Sequence, residues 1–327
     1  MKLAVVIPCF RVRKHILSVL EGIPENVHRI FVVDDACPER TGELVLQECK
    51  DKRVSVITHD GNQGVGGATL TGFKAAVDEG MEILIKLDGD EQVDPALIPV
   101  LVKPLLNYEA DYTKGNRFYD LESLREMPAL RLVGNSILSL ISKAATGYWD
   151  LMDPTNGFLA IHSSVFNLLP IEKISKRFFF ENDLLFRLST IRAVARDVPM
   201  ASKYGSEISN LDIPLILLTF PMKFVSRTIK RIIYSYFVRD FNICSMQLIV
   251  GIVLLIFGVV FGMFYWISNS ALGIVTPTGT VMIAAILVIL GFQLLLAAIT
   301  YDVMNLPKIP LSSSLHSTFG STNFEET

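Results

Sequence analysis

A chain of 327 residues has room for one large or two modest domains, and with half of its residues hydrophobic it is too apolar to be water-soluble throughout. The formal net charge of −3 gives no reason to expect nucleic acid as a partner. Four cysteines (Cys9, Cys37, Cys49 and Cys244) are too scattered for a zinc site or a disulfide-stapled domain and are read as free thiols.

In chain order, Leu3–Ile7 is a short apolar run ended by Pro8, as a buried strand would be, and too short for a secretory signal, which leaves the N-terminal part in the cytosol. Helical spacing over Lys14–Leu20 leads to a second strand, Arg29–Val33, stopped by Asp34-Asp35. A helix around Thr41–Glu48, a strand at Val54–Thr58, a helix over Gly67–Glu79 and a strand at Glu82–Leu87 follow, the last running into Asp88-Gly89-Asp90. Strands alternating with helices predict parallel pairing and a doubly wound α/β layer, in which ligands sit beyond the carboxyl ends of the strands. The acidic pairs occupy those ends.

The pattern changes after Asn210. From Met222 to Phe237 the spacing is helical and two-faced: Val225, Ile229, Ile232, Ile233 and Tyr236 make one stripe, set apart from Lys223, Arg227, Lys230 and Arg231, as suits a helix lying on an anionic leaflet. Two uncharged stretches, 243–267 and 280–301, each exceed the roughly 20 residues that cross a bilayer as a helix. Their short connection makes them a hairpin, and the basic residues before the first and Lys308 after the second place both ends in the cytosol. The tail is expected to be loose. The chain thus divides into a catalytic domain (1–211), a juxtamembrane segment (212–240), a transmembrane hairpin (241–305) and a flexible tail (306–327).

The strongest chemical signal is Asp88-Gly89-Asp90. In an extended segment residues i and i+2 project to one side, so both carboxylates can face one hard cation, Mg2+ or Mn2+, whose shell a diphosphate completes. Gln92 and Asp94-Pro95 follow; Val93, where an EF-hand needs glycine, excludes that loop. Asp34-Asp35 suits a base or ribose hydroxyl, or equally a turn or helix cap. Gly61-Asn62-Gln63-Gly64-Val65-Gly66-Gly67 opens a helix but fits neither a Walker loop nor a Rossmann fingerprint, which leaves a tight turn near a nucleotide. The aromatic run Phe178–Phe180 reads as core.

Taken in order, VIPCF, VVDDACPERT, NQGVGGATLTGF, LDGDEQVDP and KGNRF resemble the inverting family-two glycosyltransferases of GT-A fold, over about residues 1–211, and within them the polyprenyl-phosphate branch typified by dolichol-phosphate mannose synthase. The resemblance implies a Rossmann-like, mostly parallel sheet with helices on both faces. It puts Pro8, Phe10, Asp34, Asp35, Asp88 and Gly89 around the nucleotide-diphosphate sugar, and Asp88, Asp90 and Gln92 around the metal. Arg117, Arg131 and Asn135 fall on the acceptor-phosphate side, and Lys203 closes over the diphosphate. Arg11-Val12 departs from the usual Asn-Glu, and Asn135 replaces a typical serine.

The implied reaction is inverting transfer of a sugar from a metal-bound donor to a polyprenyl phosphate at the cytosolic face. A lipid phosphate is already anionic, so arginines that position it suffice, and the catalytic residues are expected to be Asp90, Asp153 and Arg117. A sugar-hydroxyl acceptor would instead need a carboxylate base, for which Asp153 and Glu181 stand as candidates. A processive synthase is disfavoured because neither Trp149 nor Trp266 sits in a Gln-x-x-Arg-Trp motif. A non-catalytic nucleotide-sugar-binding scaffold is the rival from another class; a transporter lacks intramembrane charge. The bilayer is a partner in every reading, a bacterial inner membrane is favoured over endoplasmic reticulum, and a two-helix anchor is open to homo-oligomer formation.

Overall fold

The computed structural model of the protein describes residues 1–119, 129–154, 156–200 and 213–320, with backbone alone at 129–132, 213–219 and 316–320. It divides into two units, Met1–Thr228 with Pro307–Thr327, and Ile229–Leu306.

The first unit is built on seven strands: β1 (Leu3–Cys9), β2 (Arg29–Asp34), β3 (Val54–Thr58), β4 (Ile83–Lys86), β5 (Tyr112–Asn116), β6 (Leu159–His162) and β7 (Ala195–Pro199), in the spatial order β3-β2-β1-β4-β6-β5-β7. The pairs β1–β2, β1–β4, β2–β3 and β5–β7 are parallel, whereas β6 runs antiparallel to both β4 and β5. Side chains of β1 alternate between two cores, as a strand covered on both faces requires. Val5 and Ile7 point into one with α1 (Ile16–Glu21), α2 (Thr41–Glu48) and α4 (Ile98–Leu106). Ala4 and Val6 point into the other with α3 (Val65–Asp78) and Phe180, Leu184 and Leu188 of a later helix, Phe180–Thr190. In chain order α5 (Ala129–Thr146) and the short α6 (Ser163–Phe166) precede that helix, which is α7, and α8 (Ile213–Ile233) follows it.

In the first unit, Phe220 and Phe224 of α8 pack with Phe179, Leu138 and Ala145. Arg227 does not face outward with the lysines, as its spacing suggested. Its Nε lies 2.7 Å from Oδ1 of the fully buried Asp183, because an arginine turned into a protein needs a carboxylate there. Met222 and Val225 are instead left exposed.

The second unit holds α9 (Ile243–Ala271) and α10 (Thr278–Met304), both long and apolar enough to cross a membrane. They pack on small residues: a Cβ on Gly291 would lie 2.9 Å from the Gly251 carbonyl oxygen. In this unit Arg231 is likewise inward, paired with Asp302 at 2.7 Å, and Tyr236 donates to the same carboxylate. Ile229 and Ile233 are exposed, as is Lys230. Of the apolar stripe, Val225, Ile229 and Ile233 are exposed whereas Ile232 and Tyr236 are covered, and of the four basic residues set apart from it Arg227 and Arg231 are satisfied within the protein.

The tail expected to be loose contains a further helix, α11 (Leu311–Gly320). Asp111, fully buried at the foot of β5, accepts from the N–H groups of Leu311 (2.9 Å), Ser312 (2.8 Å) and Val194 (2.8 Å). Serine-rich composition hid this anchor, since the acceptor is 200 residues away in sequence. An anion at a helix N-terminus satisfies orphan donors and the dipole together. Asp111→Ala should cost on the order of 3 kcal/mol, with the buried donors left unpaired. Thermal unfolding measures that loss, and limited proteolysis should cut the wild type more slowly than the variant near residues 306–320.

Candidate active site

Because β1, β2 and β4 are parallel, their carboxyl ends open on one edge of the sheet, and the loops leaving them line a cavity of about 510 Å³. Pro8, Phe10, Asp35, Asp88, Gly89 and Asp90, all named from the sequence, line it. Arg11, Asn62, Gly64, Val65, Arg177 and Phe178 line it too. Strain gathers at its rim: Arg11 has φ 61° and Glu91, next to Asp90, also φ 61°, a left-handed conformation that costs non-glycine residues about 1–2 kcal/mol. Arg11 is held by its N–H on Cys37 Sγ at 3.1 Å and sits over the Phe10 ring at 5.4 Å; Glu91 is held by His15 at 2.8 Å.

The two acids of Asp34-Asp35 part company. Asp34 accepts from the N–H groups of Cys37 (2.7 Å) and Gly42 (2.6 Å), is buried, and is not among the described residues lining the cavity. These bonds brace the turn into α2, the second of the two readings its sequence position allowed. Asp35 reaches across to the glycine-rich loop, accepting from Gln63 N (2.8 Å), Gly64 N (2.7 Å) and the His59 ring (2.8 Å), and presents its remaining surface to the cavity.

That loop is glycine-rich for a packing reason. Gly64 has φ +88°, and a Cβ on it would lie 2.7 Å from the Lys176 carbonyl oxygen and 2.9 Å from Arg177 Cγ; on Gly66 one would meet Phe180 and the Ser175 carbonyl, both at 2.7 Å. The segment 175–180 therefore lies directly on the loop. Of the aromatic run read as core, Phe179 and Phe180 are buried, but Phe178 is 49% exposed and lines the cavity beside Arg177. Arg177 was not singled out from the sequence, and Phe178 was read as core; the bare signal was a cation and an aromatic just before a helix start.

Strand β4 ends at Lys86, so Asp88-Gly89-Asp90 is a turn and not extended strand as expected. Both acids still line the cavity, brought there by the turn. Asp90 Oδ1 accepts from Gln92 N at 3.2 Å, while the Gln92 side chain is solvent-exposed and is not among the described lining residues. Asp88 Oδ1 accepts from Lys86 Nζ at 2.6 Å.

Arg117 and Asp153, expected as acceptor arginine and candidate base, are each other's partners. Nε and Nη2 of Arg117 bond the two carboxylate oxygens at 2.7 and 3.0 Å, and Asp153 is buried. A carboxylate gripped by a two-pronged arginine is a good brace for that arginine. Glu181, the other candidate base, lies 3.5 Å from Lys86 Nζ. Asn135 is half-buried on α5 and does not line the cavity among the described residues; the Arg131 side chain and Lys203 lie outside the described residues.

Beside these, Lys114 donates to the Pro154 carbonyl at 2.5 Å, and burial pushes its pKa down to about 8 against the pull of Glu181, Asp153 and Asp197. Burial likewise pushes the Asp197 carboxyl up to about 6, although Met152 N–H and Asn116 bond it at 2.8 and 2.6 Å.

The pattern of Glycosyl transferase family 2 matches residues 4–169, half of the chain. The chain belongs to glycosyl transferase family 2. Its relatives in this family include the UDP-N-acetylglucosamine–dolichyl-phosphate N-acetylglucosaminyltransferase of Methanococcus voltae, 28% identical over 61% of this chain and 84% of that protein. The undecaprenyl-phosphate mannosyltransferase of Micrococcus luteus is 27% identical over 55% of this chain and 73% of its own length. The dolichol-phosphate mannosyltransferase of Pyrococcus furiosus is 26% identical over 55% and 52%. Among solved structures, glucosyl-3-phosphoglycerate synthase of Mycobacterium tuberculosis in complex with UDP superposes with a TM-score of 0.55, 17% identity, and coverage of 69% of this chain and 80% of that one. That likeness establishes the fold, GT-A, as the sequence resemblance implied.

The Asp197 environment gives a pH prediction. An unfolded aspartate ionises at about 4, so between there and the folded value of about 6 the folded protein keeps a proton that the unfolded chain loses, and stability falls as pH rises through that window. Asp197→Asn keeps an acceptor for Met152 N–H without the charge. A melting-temperature profile should be flatter for this variant between about pH 4 and 6, and at neutral pH it should be at least as stable as wild type.

Proposed function

We propose that the protein transfers a sugar from a nucleotide-diphosphate donor to a polyprenyl phosphate, with inversion, at the cytosolic face of a membrane. The observation that carries this reading is the union, in one chain, of an acid-lined cavity at the carboxyl edge of a GT-A sheet with two helices apolar enough to span a bilayer. A polyprenyl phosphate never leaves the membrane, so an enzyme that uses it has to be tethered there. The exposed stripe of Met222, Val225, Ile229 and Ile233, with Lys223 and Lys230, suits the headgroup layer. The named activities of the M. voltae, M. luteus and P. furiosus relatives, each joining a sugar to a polyprenyl phosphate, support the same reading.

The residues fit Mg2+ or Mn2+. Asp88 and Asp90 offer hard oxygen donors on one cavity, and no cluster of three or more His, Cys, Asp or Glu among the described residues forms a complete cage. A two-carboxylate site of that kind is completed by diphosphate and water, with Gln92 at its edge. The chemistry such an ion supplies is neutralisation of charge growing on the leaving diphosphate. Phe10 and Asp35 bind the nucleoside end, Arg177 and Lys203 supply cations for the phosphates, and the segment 175–180 shields the cavity from water. On the acceptor side, Arg117, oriented by Asp153, positions the lipid phosphate in line with the anomeric carbon, together with Arg131 and Asn135. The pairing of Asp153 with Arg117 favours this anionic nucleophile over a sugar hydroxyl, which would need a carboxylate base.

In proteoliposomes supplied with polyprenyl phosphate and donor, Asp90→Asn should lower transfer by at least about a hundredfold, the order of loss expected for an electrostatic contact made in the transition state, while keeping the wild-type melting temperature. Unchanged turnover in that variant would remove the metal assignment. Arg117→Lys cannot reproduce the paired bonds to Asp153 and should raise the apparent KM for polyprenyl phosphate with little change in the donor KM.

A further inference from the structure

Beneath the cavity lies a charge to which the reading above gives no part. Lys86 is the last residue of β4, two positions before Asp88, and its side chain is 1% exposed. Its ammonium has three partners: Asp88 Oδ1 at 2.6 Å, the Gly157 carbonyl at 3.2 Å and Glu181 Oε1 at 3.5 Å. Two carboxylates within 3.5 Å are the environment an ammonium needs to be buried with its charge. Asp88 is held on its other side as well. A Cβ on Gly157 would lie 1.9 Å from Asp88 Oδ2, so only a bare backbone leaves that oxygen room. One of the two acids named for the cation is thus already neutralised and pinned by a fixed positive charge of the protein.

We propose that Lys86 competes with the divalent ion for Asp88 and thereby makes ion binding depend on the donor diphosphate. The proposal rests on the reading that Asp88 and Asp90 hold the ion. An ion arriving alone meets a carboxylate that has a partner, with an ammonium directly behind it. A nucleoside diphosphate brings two or more negative charges of its own, enough to outweigh one lysine. The repulsion between an ammonium and a doubly charged ion sharing one carboxylate amounts to a factor of about ten or more in affinity even at the dielectric constant of water, and to more in a partly buried site. A lysine kept only for packing would have no such effect: removing it would loosen the site and never tighten it.

The test is an equilibrium titration of Mn2+ into the purified full-length protein in detergent, read by the electron paramagnetic resonance of the free ion, with and without UDP, GDP or dTDP. Lys86→Met should bind Mn2+ alone at least about tenfold more tightly than wild type. The difference should shrink when the preferred nucleoside diphosphate is present. Lys86→Arg keeps the charge and should behave like wild type. Should Lys86→Met not fold, the double variant Lys86→Met/Glu181→Gln removes the unpaired buried acid and carries the same expectation. Mn2+ affinity that is unchanged or weaker in a folded, uncharged variant overturns the proposal. No Mn2+ binding by wild type and variants alike, with every nucleotide, overturns the metal assignment beneath it; the two failures are therefore distinct.

Discussion

The cavity exists because three neighbouring strands run the same way. With β1, β2 and β4 parallel, every loop that leaves a carboxyl end emerges on one edge, and acids far apart in sequence meet there. That gathering concentrates negative charge, which the protein then has to manage. Asp34 is taken up by backbone donors away from the cavity, while Asp35 and Asp88 reach it braced by the glycine loop and by Lys86. What reaches the cavity is a selected part of the acidic sequence, fixed in place by partners behind it.

This explains what could be read from the sequence. Strands β1 to β4 and their helices are local patterns of apolar spacing, and Asp88-Gly89-Asp90, Pro8 and Phe10 are placed by where those strands stop. The antiparallel β6 between β4 and β5 was not legible, since its pairing is settled by residues far apart in sequence, such as Ile83 with His162 and Tyr112 with Ile161. Partner choice was hidden for the same reason. Whether Asp34 faces a ligand or a turn, and whether Arg227 faces lipid or Asp183, depends on contacts that composition does not encode. Arg177 went unnoticed and Phe178 was read as core because their place on the rim follows from the close approach of segment 175–180 to Gly64 and Gly66.

The second unit follows a different logic. Its helices α9 and α10 present apolar side chains outward nearly everywhere and meet each other through small residues, the arrangement expected where lipid is the surrounding solvent. Charge returns only at one end, where Arg231, Tyr236 and Asp302 satisfy one another. The chain then comes back to the first unit, where Asp111 holds the start of α11, so the catalytic unit is built from sequence on both sides of the hairpin.

The central claim, transfer of a sugar onto a lipid phosphate, is tested most directly by following the label. Purified protein is incubated with polyprenyl phosphate, Mg2+ or Mn2+ and a panel of radiolabelled nucleotide sugars, and the products are partitioned into organic solvent. The account predicts that one donor yields organic-soluble label, only when polyprenyl phosphate is present, and that mild acid releases it as free sugar. Label that stays in the aqueous phase with every donor, or that enters the organic phase only with a lipid-linked sugar acceptor, would contradict it.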